Sequence, residues 1–365
     1  MRFLFFFVHP AKFHVFKKTI NTLNANGHKV DILITSKDVL ENLIKKEGWD
    51  YTNIFPKGRK IKGWHPLLSS GFNFFRTIYK LYKYCRGKKY DLFITDDLLV
   101  YLSKWFKTPS LILTDDDITI SKLSTLILSK ATYILAPEIT NLGKYSKKKI
   151  SFNGYKELAY LHPDEFTPNI NVVKKFNTNL EPYFLIRLVY LRAYHDLGIN
   201  GLSNENLFKL VNFLIEHGRV YISSERKLPI NLKKFELKIL PEEILHVIYF
   251  STLFIGDSQT MTSEAAVLGT PAFRCNDFAG KIGVMDEKEE KYGLSFNYSS
   301  KDFDKMYVAI EKILSKRNIK DEFLLKRNKM ISEKINLSKL MIWLFQNYPQ
   351  SIQQYKSNPQ IQYTL

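Results

Sequence analysis

The run from Phe254 to Pro271 (FIGDSQTMTSEAAVLGTP) carries the densest chemistry in the chain. Its spacing predicts the end of a buried strand, a tight polar turn, a short helix stopped by Gly269, and a return toward a sheet at Pro271. Such a turn presents backbone N–H groups and hydroxyls at the positive end of a helix dipole, where proteins hold phosphate. Glu264 falls in the first turn or two of that helix, where a carboxylate can reach a ribose. These residue types point to a site for a nucleotide diphosphate. The plainer alternative is an ordinary helix packed on a sheet, with Ser258 or Thr260 as its cap. A cap needs one hydroxyl, however, and this turn has a run of them.

The surrounding elements decide where such a site can sit. Arg2 to Val8 reads as a buried parallel strand and His14 to Asn24 as a helix, with Val15, Phe16, Ile20 and Leu23 near one face. Gly27 stops that helix and Val30 to Ile34 is the next strand, which completes a βαβ unit. Val39 to Lys46 is a short helix. Tyr90–Ile94, Ser110–Leu113 and Tyr133–Ala136 follow as strands, the first two running into Thr95-Asp96-Asp97 and Thr114-Asp115-Asp116-Asp117. A second unit starts near Glu181, with strands at Tyr183–Leu188, Arg219–Ile222, Leu253–Ile255 and Pro271–Arg274 and helices at Leu207–His217 and Glu242–Phe250. Asp302 to Tyr348 is mostly helical. Phe152 to Asn169, with Gly154, Pro163 and Pro168, breaks the alternation and reads as a linker. The expected fold class is α/β: two Rossmann-like doubly wound domains facing across a cleft, residues 1–165 and 166–365, with the terminal helix packing back on the first. Ligands of such sheets bind outside the carboxyl ends of the strands.

Composition narrows the partners. A chain of 365 residues suits two domains, and 45% hydrophobic residues are normal for a folded globular protein. The two cysteines, Cys85 and Cys275, sit in no CxxC or His/Cys cluster, so neither a disulfide framework nor a zinc site is expected. A net charge of +18 attracts anions such as nucleotide sugars and anionic lipid surfaces, unless it reflects only a general richness in lysine. No zinc-finger spacing, RNP-type motif or basic tail argues for nucleic acid. Met1 to Val8 is too short to span a bilayer and lacks a signal peptide's basic start. The chain is expected in the cytoplasm, at most peripheral on the inner face of the membrane.

Two such domains, with a phosphate turn and a glutamate in the second, resemble the GT-B glycosyltransferases and their relatives. That superfamily includes the N-acetylglucosaminyltransferase of peptidoglycan synthesis and the non-hydrolysing UDP-N-acetylglucosamine 2-epimerases. More closely, His9-Pro10-Ala11-Lys12-Phe13-His14, Tyr155-Lys156-Glu157-Leu158-Ala159-Tyr160-Leu161-His162-Pro163 and Thr260 to Pro271 look like the prokaryotic domain-of-unknown-function-354 family, over nearly the whole chain. That family has no settled activity to lend. In GT-B enzymes the second domain holds the nucleotide. The resemblance implies that Ser258, Gln259, Thr260, Met261 and Thr262 cradle the diphosphate and that Glu264 accepts hydrogen bonds from ribose hydroxyls. It also implies a cation from Arg187, with Arg192 close behind, because an arginine fork suits phosphate oxygens. A surface or interdomain arginine is the alternative. Ser223-Ser224-Glu225-Arg226 closes the next strand within reach of base or ribose, whereas His246 sits on a helix, where packing is its expected role.

The same resemblance gives the first domain the acceptor and the catalytic base. Many GT-B transferases place a histidine in the first βα loop, here His9 or His14, and His14-Val15-Phe16 matches that pattern better. Imidazole suits the task because its ordinary pKa lies near neutrality; a capping or packed histidine is the alternative for either. The clusters around Asp96 and Asp116 end strands on the presumed cleft side. Similarly placed carboxylates work as acid and base in the epimerases, but the first loop lacks their Gly-Thr-Arg-Pro-Glu-like sequence, and Asp117 also fits a solvated loop. GT-B transfer generally needs no metal, so no metal and no other cofactor is expected. From Gly71 to Arg86, Phe74, Phe75, Ile78, Leu81, Tyr82 and Cys85 share one helical face, with Arg76, Lys80, Lys83 and Arg86 elsewhere and Trp64, Leu67 and Leu68 just before. This is either a core-facing helix or the kind of basic, apolar patch by which GT-B enzymes with lipid-linked acceptors dock on membranes. The expected function is transfer of a sugar from a UDP-linked donor to an acceptor hydroxyl in surface polysaccharide or lipid-linked glycan synthesis. His14 or Asp116 takes the proton, and Arg187 and the helix dipole stabilise the leaving diphosphate. The alternatives are a nucleotide-sugar 2-epimerase and a non-catalytic nucleotide-sugar-binding protein.

Overall fold

Arg2–Phe7 is apolar on both sides, as a strand with both faces covered must be. Phe3, Phe5 and Phe7 enter one core, Leu4 and Phe6 another. In the computed structural model, which describes residues 1–36, 39–59, 66–120, 122–190 and 200–365, this segment is the central strand β1 of a seven-stranded parallel sheet. Its partners are β2 (Lys29–Thr35), β3 (Thr52–Phe55), β4 (Leu92–Thr95), β5 (Ser110–Leu113), β6 (Tyr133–Pro137) and β7 (Lys149–Phe152). The strand order is β3-β2-β1-β4-β5-β6-β7, so the winding reverses between β1 and β4. One face is covered by the helices Pro10–Ala25, Leu40–Glu47, Leu337–Gln346 and Gln350–Ser357. The helices Pro66–Cys85 and Lys122–Lys130 and the short turns between Leu98 and Phe106 cover the other.

A second parallel sheet holds β8 (Tyr183–Leu188), β9 (Arg219–Ser224), β10 (Leu253–Gly256), β11 (Ala272–Cys275) and β12 (Ser295–Tyr298), in the order β12-β11-β10-β8-β9. Here the winding reverses between β8 and β10. By contacts, Met1–Tyr160 and Ile335–Leu365 form one unit and Leu161–Lys334 the other. The chain returns to the first unit at Ile335, whose N–H donates to the Asn153 carbonyl at 2.9 Å, while Ser338 Oγ donates to Ala159 O at 2.6 Å. Everything after that point, not a terminal helix alone, packs with the first sheet. The first helix begins at Pro10 rather than His14, because His9 caps it and proline suits its first position. Trp64 and Arg192 lie outside the described residues. Among the described residues, no helix is long and apolar enough to cross a membrane.

Candidate functional site

In the second unit, β10 ends on a residue that must be glycine. A Cβ on Gly256 would stand 2.4 Å from the Arg187 carbonyl oxygen of β8. The chain then turns through Asp257 and Ser258 into the helix Gln259–Leu268, which Gly269 closes in the left-handed conformation (φ 77°). Ser258 is the cap. Its Oγ accepts the Met261 N–H at 3.4 Å, and its carbonyl accepts both the N–H (3.0 Å) and the hydroxyl (2.7 Å) of Thr262. Of the five residues expected to cradle phosphate, Met261 and Thr262 therefore spend their N–H groups on the cap. The N–H groups of Gln259 and Thr260 have no acceptor among the described residues and stand at the positive end of the helix. Glu264 is buried in the second turn, and the neighbouring Ser263 hydroxyl is buried without a hydrogen-bond partner.

Asp257, unremarked in the sequence, ties this turn to its neighbours. Its carboxylate is fully buried, accepts the Val189 N–H at 2.7 Å and meets Arg226 Nη2 at 3.3 Å. Its carbonyl accepts Asn276 Nδ2 at 2.9 Å. The loops after β8, β9 and β11 are thus pinned to the turn after β10, beside the reversal of the winding. Burial pushes the Asp257 pKa up to about 6, against the opposing pull of the Val189 N–H and Arg226.

Arg187 differs from expectation. It lies within β8, and its fork is engaged, Nη1 donating to Ser223 Oγ at 2.8 Å and Nη2 pairing with Glu225. Ser223 is accordingly an acceptor for Arg187. The arginine bonded to the turn is Arg226, which also donates to the Leu202 carbonyl at 2.6 Å and keeps a buried Nε without a partner. Next to it, Asn204, Lys227, Leu228, Pro229, Ile230 and Lys233 line a cavity of about 420 Å³. His246 packs: its ring stacks on Phe166 and its Nδ1 accepts the Asn169 N–H at 3.1 Å.

In the first unit, the ends of β1, β4 and β5 gather charge. Asp97 caps the turn Leu98–Leu102 and pairs with Arg59 at 2.8 Å. Asp115 is bound by Lys156, with contacts of 2.8 and 3.0 Å. Burial opposes the Lys156 charge, but Asp115, Glu157 and Asp116 outweigh it and raise its pKa. Lys12 reaches over to donate to the Leu113 carbonyl at 2.6 Å; burial lowers its pKa, Asp96 and Asp115 pulling the other way. Asp96 is the exception among these carboxylates. Its Oδ1 is buried without a hydrogen-bond partner, and burial pushes its pKa up to about 6 against the pull of Lys12. Asp116 is exposed, its N–H donating to Thr114 Oγ1 at 3.3 Å. Lys12 and Lys156 lie inside the stretches that carry the family resemblance, yet their part in the cluster depends on pairing between residues over a hundred positions apart in the case of Lys12 and Leu113.

Neither histidine stands open at this edge. His9 Nδ1 accepts the Ala11 N–H at 3.2 Å as the helix cap. His14 lies in the second turn, half-buried between the rings of Phe13 and Tyr160, with centroids at 5.3 and 5.5 Å. Burial, with Lys17 adding, lowers its pKa to about 4. Since the folded pKa is depressed, its neutral form supports stability above about pH 6.5, and that support is lost as pH falls toward 4. Replacing His14 by Phe should remove this loss: between pH 7 and pH 5 the unfolding free energy of the variant, from urea titration, should fall less than that of the wild type, by an amount on the order of 1–2 kcal/mol. Equal slopes would show that the ring is not buried in its neutral form. Among the described residues, no group of three or more His, Cys, Asp or Glu is arranged to hold a metal ion.

No protein-family model matches the chain, and no curated protein matches its sequence. Solved structures do match it in shape. The S. aureus MnaA structure with UDP aligns at a TM-score of 0.67 and 13% identity, covering 95% of this chain and 96% of that one. The Methanocaldococcus jannaschii UDP-GlcNAc 2-epimerase with UDP-GlcNAc and UDP aligns at 0.61 and 15% identity, covering 90% and 99%. The spinosyn rhamnosyltransferase SpnG aligns at 0.56 and 12% identity, covering 92% and 97%. The chain has the GT-B-like fold. Its structural neighbours are UDP-GlcNAc 2-epimerases and GT-B glycosyltransferases, and at these identities the likeness is one of fold. The closer resemblance to the domain-of-unknown-function-354 family has no matching family model behind it.

Proposed function

We propose that this protein is a nucleotide-sugar enzyme that moves a sugar from a UDP-linked donor to an acceptor hydroxyl of a glycan or lipid-linked glycan. The second unit would hold the donor. The diphosphate would take the N–H groups of Gln259 and Thr260 and the charge of Arg226, with Ser258 and Thr262 fixing the turn, and Glu264 would take the ribose hydroxyls. The first unit would supply the base. Asp96, ionised near neutral pH, takes the proton of the acceptor hydroxyl as its oxygen bonds to the anomeric carbon. The bond from that carbon to the diphosphate breaks, and the electron pair leaves with the diphosphate. No step in this scheme asks for a metal.

The observation that carries this reading is the buried, unpartnered oxygen of Asp96, at the reversal of the winding and beside a lysine. Asp96 is preferred among the candidates His9, His14, Asp96 and Asp116, since His9 is spent as a cap, His14 is packed between two rings with its basicity lowered by burial, and Asp116 is exposed. An epimerase reading is favoured by the solved 2-epimerases among the structural neighbours and by Asp116 on the same edge as Asp96. Incubation with UDP-, GDP-, CMP- and dTDP-sugars, with and without a glycan or lipid-linked acceptor, separates the cases. Transfer that depends on acceptor supports the proposal. An epimerised sugar nucleotide without acceptor moves the assignment to epimerase, and tight binding without turnover makes the protein a binder.

A further inference from the structure

Three cations crowd one ring at the end of β3. The Arg59 guanidinium lies 5.8 Å from the Phe55 ring centroid, that of Arg76 4.6 Å and the Lys80 ammonium 4.2 Å. Arg59 arrives there because the chain turns back after β3, the Gly58 N–H donating to the Phe55 carbonyl at 2.9 Å. Arg76 and Lys80 come from the helix Pro66–Cys85. On that helix Phe75 and Tyr82, expected with the inward face, are exposed, whereas these two cations fold in toward the sheet, Lys80 donating to the Ile54 carbonyl. Among the described residues, Asp97 is the one carboxylate paired with any of the three, and its partner is Arg59. Arg76 and Lys80 therefore bring two half-buried charges with no carboxylate of their own, where like charges repel more than in water. Burial lowers the Lys80 pKa, and Arg76 lowers it further.

Arg59 shows what the cluster lacks. Its Nη1 donates to Asp97 Oδ2 at 2.8 Å, and Asp97 is itself held by the Leu98 N–H, so the guanidinium is fixed in place. Its Nε and Nη2 are buried without a hydrogen-bond partner. These two N–H groups form one edge of the planar fork and point the same way, the arrangement that meets two oxygens of a carboxylate or a phosphate. The side chain keeps 24% of its surface open, which sets this unmet edge near the surface rather than deep in the core. The Arg59 charge is also felt at Asp96, where burial raises the pKa and Lys12 and Arg59 oppose the rise. The open edge of Arg59 and the unpartnered oxygen of Asp96 thus share one end of the sheet, the first offering donors and the second an acceptor. A neutral sugar would serve Asp96 and leave the surplus charge around Phe55 as it is. A sugar carrying an oxyanion meets both needs.

We propose that Arg59, Arg76 and Lys80 hold the carboxylate or phosphate of an acidic saccharide, the open edge of Arg59 meeting two of its oxygens, and that Arg59 thereby selects an acidic acceptor whose hydroxyl lies toward Asp96. That this saccharide is the acceptor rests on the transfer proposed above. Its binding does not, because it is read without donor or turnover.

The test is titration calorimetry of the full chain with glucuronate, glucose 1-phosphate and glucose, all at one ionic strength. The wild type should bind at least one of the two acids about tenfold or more tightly than glucose, and the acid it prefers tells carboxylate from phosphate. Arg59→Lys keeps the charge and the pairing with Asp97 but loses the open edge of the fork. Arg76→Gln removes a charge that has no carboxylate partner among the described residues. Each should lower affinity for the preferred acid by about tenfold or more while leaving UDP affinity at its wild-type value. Arg76→Gln should also keep or raise the melting temperature, since it relieves repulsion; should Arg59→Lys melt early, Arg76→Gln alone decides. Affinities for both acids no better than for glucose, or unchanged in both variants, would overturn the proposal. So would an equal loss of UDP affinity in Arg59→Lys, which would put this edge in the donor site. Acid binding without any transfer would remove the reaction proposed above and leave this site standing, whereas transfer to neutral and acidic acceptors alike would do the reverse.

Discussion

Asp96→Asn should lower kcat by about three orders of magnitude, within the range a positioned general base supplies, while leaving UDP affinity unchanged. Asparagine has the same shape and cannot accept the acceptor's proton. Two further readouts separate this role from a structural one. The wild-type rate should fall tenfold per pH unit below about 6, as the carboxylate is protonated, and Asp96→Glu should retain part of the activity with a displaced acid limb. Stability should move the other way. A carboxyl whose folded pKa is raised from 3.8 to about 6 binds its proton more readily in the folded state, so the cost of ionising it is absent below about pH 4 and complete above about pH 6. Asp96→Asn should therefore be at least as stable as the wild type at pH 7. A variant that loses activity together with stability would mark Asp96 as part of the scaffold.

Glu264→Gln should weaken UDP binding by about 10- to 100-fold, the range expected for losing hydrogen bonds to a charged acceptor. Because its proposed partner is the ribose, uridine should lose affinity in the same proportion. Arg226→Gln should behave differently: UDP binding should drop and become less sensitive to salt, with uridine little changed. Titration calorimetry of both ligands against both variants reads the pattern directly. If Glu264→Gln leaves both affinities at wild-type levels, the ribose lies elsewhere.

Much of the scaffold was legible before the structure. β1, β5 and β8 are short apolar runs bounded by polar or turn residues, and such runs announce buried parallel strands. β3, β7 and β12 carry no such signal in the sequence. All three are edge strands of four residues with a polar mixture, because only one side of each is paired and part of each is wet. The turn Gly256–Thr262 was legible as a capped helix start, but which N–H groups the cap consumes depends on the geometry of Ser258. The roles of the charged residues were least legible. Arg187 looked like a phosphate ligand until Ser223 and Glu225 claimed its fork, and Asp257 and Arg226 gained significance only once three loops converged on one carboxylate. His14 fitted a pattern of residue types, yet two rings bury it, and Asp96 emerged because burial left one of its oxygens without a donor. Spacing along a chain reports which face of an element a side chain occupies. It does not report which partner from a distant strand end will neutralise it.

The central claim is that the opening of the helix Gln259–Leu268 binds a pyrophosphate. A crystal structure with UDP tests it most directly. The account predicts phosphate oxygens within 3.2 Å of the Gln259 and Thr260 backbone nitrogens, with Arg226 alongside and the ribose hydroxyls on Glu264. UDP lodged at the strand ends of the first unit, with the Gln259 and Thr260 nitrogens bound only to water, would contradict it.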